Sequence, residues 1–167
     1  MNQSQPDQIV ISVSAGTGRG RTPLSAFDAA LHDAGVANFN LVRLSSVFPP
    51  GADVVVRRAD EQIKGGFGDL LYAVYAAAWA VETGSEAWAG LTWSRNSDGS
   101  GAGLFVEHAA SSRDELQSLL DDTLEDLGAR RAGDFVKENH LLSMATCIQE
   151  PVCALVLASY RTRGWGV

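Results

Sequence analysis

Apolar residues alternate with small or polar ones along much of this chain, and the alternation predicts several β-strands separated by turns. Residues 9–14 alternate clearly, and residues 39–44 form an apolar run of strand length. Residues 70–81 are ambiguous, because their aromatic side chains lie at helical spacing while Val74 is β-branched, and we favour a strand. The same reasoning predicts strands at residues 54–56, 87–93, 103–108, 141–147 and 152–160.

Two segments have the periodicity and the end signals of amphipathic helices. Thr22 caps the first, Pro23 takes its first position and Gly35 follows its end, so the predicted buried face consists of Leu24, Phe27 and Leu31. The second begins at Ser112 and ends near Gly128, with an apolar face of Leu116, Leu119, Leu120, Leu124 and Leu127. Two helices among many strands indicate an α+β fold whose helices cover the sheets.

Gly16, Gly18 and Gly20 alternate with other residues between the first predicted strand and the first helix. We expect a flexible loop here, in which glycine supplies positive φ angles. The spacing lacks both the dinucleotide-binding fingerprint and the Walker lysine, which argues against a nucleotide site. Residues 64–69 are also rich in glycine, and they are the best candidate for a mobile loop.

The composition narrows the function classes. The chain has 167 residues, which favours one domain, and its net charge of −7 argues against nucleic acid or an anionic membrane as partners. Cys147 and Cys153 lack the spacing of a zinc ribbon or a redox pair and lie among apolar residues, so we expect buried thiols. His32 and His108 have no metal-ligating partner at a useful spacing, and we expect no metal. The N-terminus has no signal-peptide pattern and no run could span a bilayer, so we expect a cytoplasmic protein.

Ser45 and Ser46 follow the strand predicted at 39–44, and Pro49 and Pro50 end the segment that contains them. This arrangement suits a chain that cleaves itself. The Ser46 hydroxyl would attack the Ser45 carbonyl, and the ester formed would eliminate and hydrolyse to leave a pyruvoyl group at position 46. A serine pair at a strand end is by itself more often a simple turn.

The surrounding residues favour self-cleavage over a simple turn, because residues 14–50 resemble the pyruvoyl-dependent arginine decarboxylases. The matching segments are Ser14-Ala15-Gly16, the run from Thr22-Pro23-Leu24 to Leu31, Ala34-Gly35, the run from Asn40 to Pro50, and Gly103-Leu104-Phe105-Val106-Glu107 farther along. The similarity is loose between residues 65 and 93 and after residue 130.

The resemblance implies a role for each matching residue. Ser46 would become the pyruvoyl cofactor. Ser45 would end the first of two fragments, 1–45 and 46–167, and would contribute to substrate binding. Asn40 would orient the scissile peptide or the substrate carboxylate, and Glu107 would return a proton to the substrate carbon. Asp28 would bind the substrate guanidinium through two parallel hydrogen bonds.

The resemblance also implies an architecture and a reaction. The fold would be a four-layer αββα sandwich, and processed protomers would assemble as a homotrimer with active sites between subunits. The substrate would be L-arginine, converted to agmatine and carbon dioxide through a Schiff base to the pyruvoyl group. Two alternatives stay open: the same chemistry on another amino acid, and a non-catalytic trimer of this fold that binds a small amine.

Overall fold

The computed structural model describes residues 9–58 and 61–166, which contain nine strands and two helices. The α+β prediction is therefore confirmed. In chain order the elements are β1 (Val10–Arg19), α1 (Pro23–Asp33), β2 (Asn40–Arg43), β3 (Val47–Phe48), β4 (Asp53–Val56), β5 (Leu70–Ala80), β6 (Glu86–Asn96), β7 (Gly103–Ala110), α2 (Arg113–Ala129), β8 (Phe135–Thr146) and β9 (Val152–Arg163).

The strands form two sheets. The first sheet has five strands in the order β2-β5-β9-β1-β4, with parallel pairs β2–β5 and β1–β4 and antiparallel pairs elsewhere. The second has the order β3-β7-β6-β8 and is antiparallel throughout. The chain therefore passes from one sheet to the other between β2 and β3, at Ser45 and Ser46.

Three apolar clusters hold the elements together. The largest lies between the two sheets and includes Ile11, Leu91, Phe105 and Val156. A second joins α1 to the other face of the five-stranded sheet, and a third joins α2 to β6 and β7. None of the helices in the described part of the chain is long and apolar enough to cross a bilayer.

The flexible loop predicted around Gly16 and Gly18 is wrong, because β1 continues through Arg19 and pairs with β9 along this stretch. Neither glycine has a positive φ. A Cβ on Gly18 would overlap the Ala26 carbonyl oxygen and the Ala30 nitrogen, and Gly16 meets the next turn of α1 in the same way. These glycines are therefore present because the helix backbone lies directly on the strand.

Because of this close contact, the buried face of α1 differs from the predicted one. Leu24 is 75% exposed, so its predicted place in the core is wrong. Phe27 is half-buried, while Ala26 and Ala30 are fully buried and Leu31 nearly so. Small residues occupy the contact because a larger side chain would hold the helix away from the glycines of β1.

Gly18→Ala should destabilise the fold, since the added methyl group has to displace helix backbone. Overpacking of this kind costs about 1–3 kcal/mol in the free energy of unfolding, which urea denaturation would measure. Gly128→Ala is the matched control. That glycine lies in α2 and its Cβ would meet only ordinary contacts with Phe135, so alanine should be neutral or stabilising. Equal stability of the two variants would contradict the packing argument.

The strand favoured for residues 70–81 is confirmed as β5, which pairs with β9 along its whole length. β8 and β9 are longer than predicted, at twelve residues each. Both extend beyond the apolar runs into polar sequence because neighbouring strands supply their hydrogen-bond partners. The predicted helix caps are also confirmed, since the hydroxyls of Thr22 and Ser112 each accept a backbone N–H of the first turn.

Candidate functional site

Ser46 lies in a bend between β2 and β3, where the chain crosses between the sheets. Its Oγ is 2.9 Å from Oε2 and 3.1 Å from Oε1 of Glu107, so its hydroxyl donates to that carboxylate. Glu107 is on β7, opposite the buried Leu91 of β6 and on the same strand face as Phe105. The two sheets thus bring together residues that are 61 positions apart in the chain.

The Glu107 carboxyl is largely enclosed, with 11% of its side chain exposed. Burial raises its pKa, and the Ser46 hydroxyl and the Arg43 cation partly oppose that change. The Arg43 Nη2 lies 3.5 Å from Glu107 Oε1, and its guanidinium lies over the Tyr75 ring at 4.9 Å from the centroid. The Glu107 carboxyl is therefore placed to exchange a proton with the Ser46 hydroxyl.

Hydrogen bonds hold three successive backbone carbonyls around the Ser45–Ser46 peptide. The Ser45 carbonyl accepts the Val47 N–H at 2.5 Å, and the Ser46 carbonyl accepts the Phe105 N–H at 2.8 Å. The Val47 carbonyl accepts the Tyr160 hydroxyl at 2.9 Å. The peptide that would be cut is thus fixed from both sheets.

A cavity of about 360 Å³ adjoins this segment. Its lining includes Leu44, which directly precedes Ser45, and Tyr160, which contacts Val47. Tyr72 and two arginines, Arg161 and Arg163, complete it. The cavity therefore begins beside the serine pair, at the residue that precedes it.

Asn40 is not brought to Ser46 within the chain. It begins β2, its Nδ2 donates to the Gly68 carbonyl at 2.7 Å, and its backbone N–H donates to Asp69. The length of β2 alone, about 10 Å for three steps of a strand, separates Asn40 from Arg43. The asparagine anchors the 64–69 segment, whose Gly68 carbonyl also accepts the Trp165 indole N–H.

Asp28 also lies away from Ser46. Its side chain is 63% exposed and lies 3.7 Å from His32, so it points away from the core. The face of α1 that meets the sheet is the one that carries Ala26 and Ala30. Since α1 covers the outer face of the five-stranded sheet, that sheet lies between Asp28 and the Ser46–Glu107 pair.

Sequence reasoning missed two residues of the site. Arg43 was visible in the run from Asn40 to Pro50, but its contact with Glu107 depends on the pairing of the sheets. Tyr160 lies at the far end of the chain, and its only sequence signal was its place in an alternating strand. In the described ranges, no group of three or more metal-ligating side chains is assembled.

Comparison with known proteins gives consistent similarities. Residues 10–163 match the profile described as "Pyruvoyl-dependent arginine decarboxylase (PvlArgDC)". The protein of that name from Methanococcus vannielii is 29% identical over 150 residues, covering 89% of this chain and 88% of that protein. The Thermoplasma volcanium protein is 38% identical over 99 residues, covering 59% of this chain and 53% of its own length. The Methanocaldococcus jannaschii protein is 53% identical over 45 residues, or 27% of each chain.

Proposed function

The chain belongs to the pyruvoyl-dependent arginine decarboxylase family, and we propose that it cleaves itself between Ser45 and Ser46 and then converts L-arginine to agmatine and carbon dioxide. The observation that carries this proposal is the contact of the Ser46 hydroxyl with the largely enclosed carboxylate of Glu107, at a peptide held by both sheets. Incubation with arginine, with agmatine and carbon dioxide measured as products, tests it.

Glu107 can serve as the base for the cleavage. As it takes the Ser46 Oγ proton, Oγ bonds to the Ser45 carbonyl carbon, the bond from that carbon to the Ser46 nitrogen breaks, and the nitrogen receives the proton. Loss of the Ser46 Cα proton then expels the Ser45 carboxylate. The dehydroalanine left at position 46 is an enamine, which tautomerises to an imine. Water hydrolyses the imine, which releases ammonia and leaves the pyruvoyl carbonyl.

The sheet topology supports fragments that remain together after cleavage. The fragment 1–45 contributes β1, α1 and β2. β1 lies between β9 and β4, and β2 pairs with β5, so both strands hydrogen-bond to the fragment 46–167. The two pieces should therefore separate only when the protein unfolds.

Glu107 would act a second time in decarboxylation. The pyruvoyl group supplies an electrophilic carbonyl for the α-amine of arginine and an electron sink for the departing carbon dioxide. Glu107 would then deliver a proton to the substrate carbon. Conversion of Ser46 removes the hydroxyl that lowers the pKa of Glu107, so burial dominates more strongly and the carboxyl carries its proton over a wider pH range.

The distances favour a site shared between protomers. Asn40 and Asp28 both match family site positions, yet one is at the far end of β2 and the other is on the outer face of α1. A neighbouring copy could bring them to Ser46, which is consistent with a homotrimer. We also propose the four-layer αββα sandwich, with α1 and α2 as outer layers, and a cytoplasmic location without nucleic-acid or membrane partners.

Asp28→Asn should weaken arginine binding while leaving self-cleavage intact. The carboxylate can accept two parallel hydrogen bonds from a guanidinium, and the amide keeps the size but loses the charge. Losing one partner of a desolvated ion pair costs roughly 2–5 kcal/mol, so the KM for arginine should rise at least about thirtyfold. Steady-state assays with arginine, lysine and ornithine measure the change.

Asp122→Asn, an exposed carboxylate on α2, is the matched control for this substitution and should change nothing. Unchanged arginine kinetics in Asp28→Asn would remove that residue from substrate selection. A preference of the unaltered enzyme for another amino acid would instead favour the same chemistry on that substrate.

A further inference from the structure

We propose that Tyr160 is a positioning residue for self-cleavage, which anchors the Val47 carbonyl so that the Val47 N–H faces the carbonyl oxygen of Ser45. The inference rests on the proposed function, because it concerns the step that would create the cofactor. Besides the nucleophile Ser46 and the base Glu107, the cleavage site would then have a hydrogen-bond donor, the Val47 N–H, for the Ser45 carbonyl oxygen on which negative charge develops.

The geometry begins with the turn at Ser46. The Ser45 carbonyl accepts the N–H two residues ahead, from Val47, at 2.5 Å, which makes a three-residue γ-turn. Since the described residues include no positive φ outside glycine, it is the inverse form of that turn. The donor therefore already faces the carbonyl that Ser46 would attack, while the Ser46 hydroxyl faces Glu107.

The residue that follows the turn, Val47, is held by the side chain of Tyr160. The Tyr160 hydroxyl donates to the Val47 carbonyl at 2.9 Å, and its ring packs edge-on against Phe105 at 6.1 Å between centroids. The Phe105 N–H in turn holds the Ser46 carbonyl. Burial, with a smaller contribution from Glu107, raises the pKa of Tyr160, so the phenol stays protonated and keeps donating at neutral pH.

The chemistry needs a donor at this place. Attack by Oγ converts the Ser45 carbonyl to a tetrahedral centre whose oxygen carries negative charge until the bond to the Ser46 nitrogen breaks. Backbone N–H groups placed in advance stabilise such an oxygen because they need not reorient during the reaction. The Val47 N–H shares a peptide with the Ser46 carbonyl, which the Phe105 N–H holds, and the Tyr160 hydroxyl holds the next peptide on the other side of the Val47 Cα. Without the tyrosine anchor that second peptide could rotate, and the Val47 N–H would be fixed on one side only.

Tyr160→Phe tests the inference, because it removes only the hydroxyl. Full-length chains of the unaltered sequence and the variant would be made by cell-free synthesis, and the loss of full-length chain followed on denaturing gels. We expect the first-order rate of cleavage to fall about threefold to tenfold, the range for one neutral hydrogen bond. Tyr72→Phe, the same change at another tyrosine of the adjoining cavity, should cleave at the unaltered rate.

Hydroxylamine distinguishes the step that is affected. It cleaves the ester directly and so bypasses elimination, but it cannot speed formation of the ester. Tyr160→Phe should therefore stay slow by the same factor in hydroxylamine, with a thermal midpoint close to that of Tyr72→Phe. Recovery of the unaltered rate in hydroxylamine, a rate unchanged by the substitution, or an equal slowing in Tyr72→Phe would overturn the proposal. Absence of cleavage in the unaltered chain would instead reject the proposed function itself.

Discussion

Replacing Ser46 by alanine should abolish self-cleavage completely. The substitution removes Oγ, the proposed nucleophile, while the half-buried site accommodates a methyl group without strain. Intact mass under denaturing conditions should show two chains, 1–45 and 46–167, for the unaltered protein and one full-length chain for the variant. The variant should also lack decarboxylase activity, because no carbonyl is formed at position 46.

Two companion variants at the cleavage site make this result specific. Ser45→Ala keeps both the attacked carbonyl and the nucleophile, so it should still cleave, since the Ser45 side chain is exposed. Ser46→Cys should also cleave, because a thiol forms the analogous thioester. Cleavage between positions 45 and 46 in Ser46→Ala would show that the nucleophile is another group. A full-length mass for the unaltered protein after long incubation would favour a non-catalytic trimer that binds a small amine.

Glu107→Gln should lower decarboxylation by about 10²- to 10⁴-fold, the usual range for a positioned acid–base group. The amide keeps the shape of the carboxyl but can neither accept the Ser46 proton nor return one to the substrate carbon. Self-cleavage should be slowed as well, so turnover must be normalised to the pyruvoyl group formed. Arginine binding, measured by calorimetry on the processed fraction, should change much less than turnover.

The pH dependence offers a second measurement on the same residue. A proton donor must be protonated before it acts, and burial raises the pKa of Glu107. Turnover of the unaltered enzyme should therefore fall as pH rises through that raised pKa, and this limb should be absent from Glu107→Gln. Glu138→Gln, which removes another arginine-paired carboxylate from the same sheet, is the control and should retain the profile. Near-normal turnover in a processed Glu107→Gln would remove Glu107 from the mechanism.

The sequence was most informative where structure depends on neighbouring residues. Thr22 and Ser112 cap their helices as predicted, since a hydroxyl before a helix satisfies N–H groups within one turn. The strand chosen for β5 over a helix, on Val74 and the family resemblance together, is also correct. The predicted loop at Gly16 and Gly18 failed because glycine was taken as a sign of positive φ, whereas its role here is to admit the backbone of α1.

In the candidate site too, the sequence indicated individual residues, while the contacts between them depend on the fold. The run from Asn40 to Pro50 contained Ser45, Ser46 and Arg43, and family resemblance pointed to Glu107. Contact between Ser46 and Glu107 arises only because the chain changes sheets at the serine and β7 presents its carboxyl to that crossover. The orientation of Asp28 could not be predicted from helical periodicity, because Ala26 and Ala30 meet the sheet most closely while Leu24 is exposed.

By itself, the sequence determined the helix ends, most strands, the α+β class and the position of the candidate serine pair, because these depend on local periodicity, capping and short motifs. The tertiary structure alone decided which distant groups surround that pair. It placed Glu107, Arg43 and the Tyr160 hydroxyl at one crossover and left Asn40 and Asp28 elsewhere. The physical reason is that register and sheet packing are set by summed long-range contacts, which no short segment encodes.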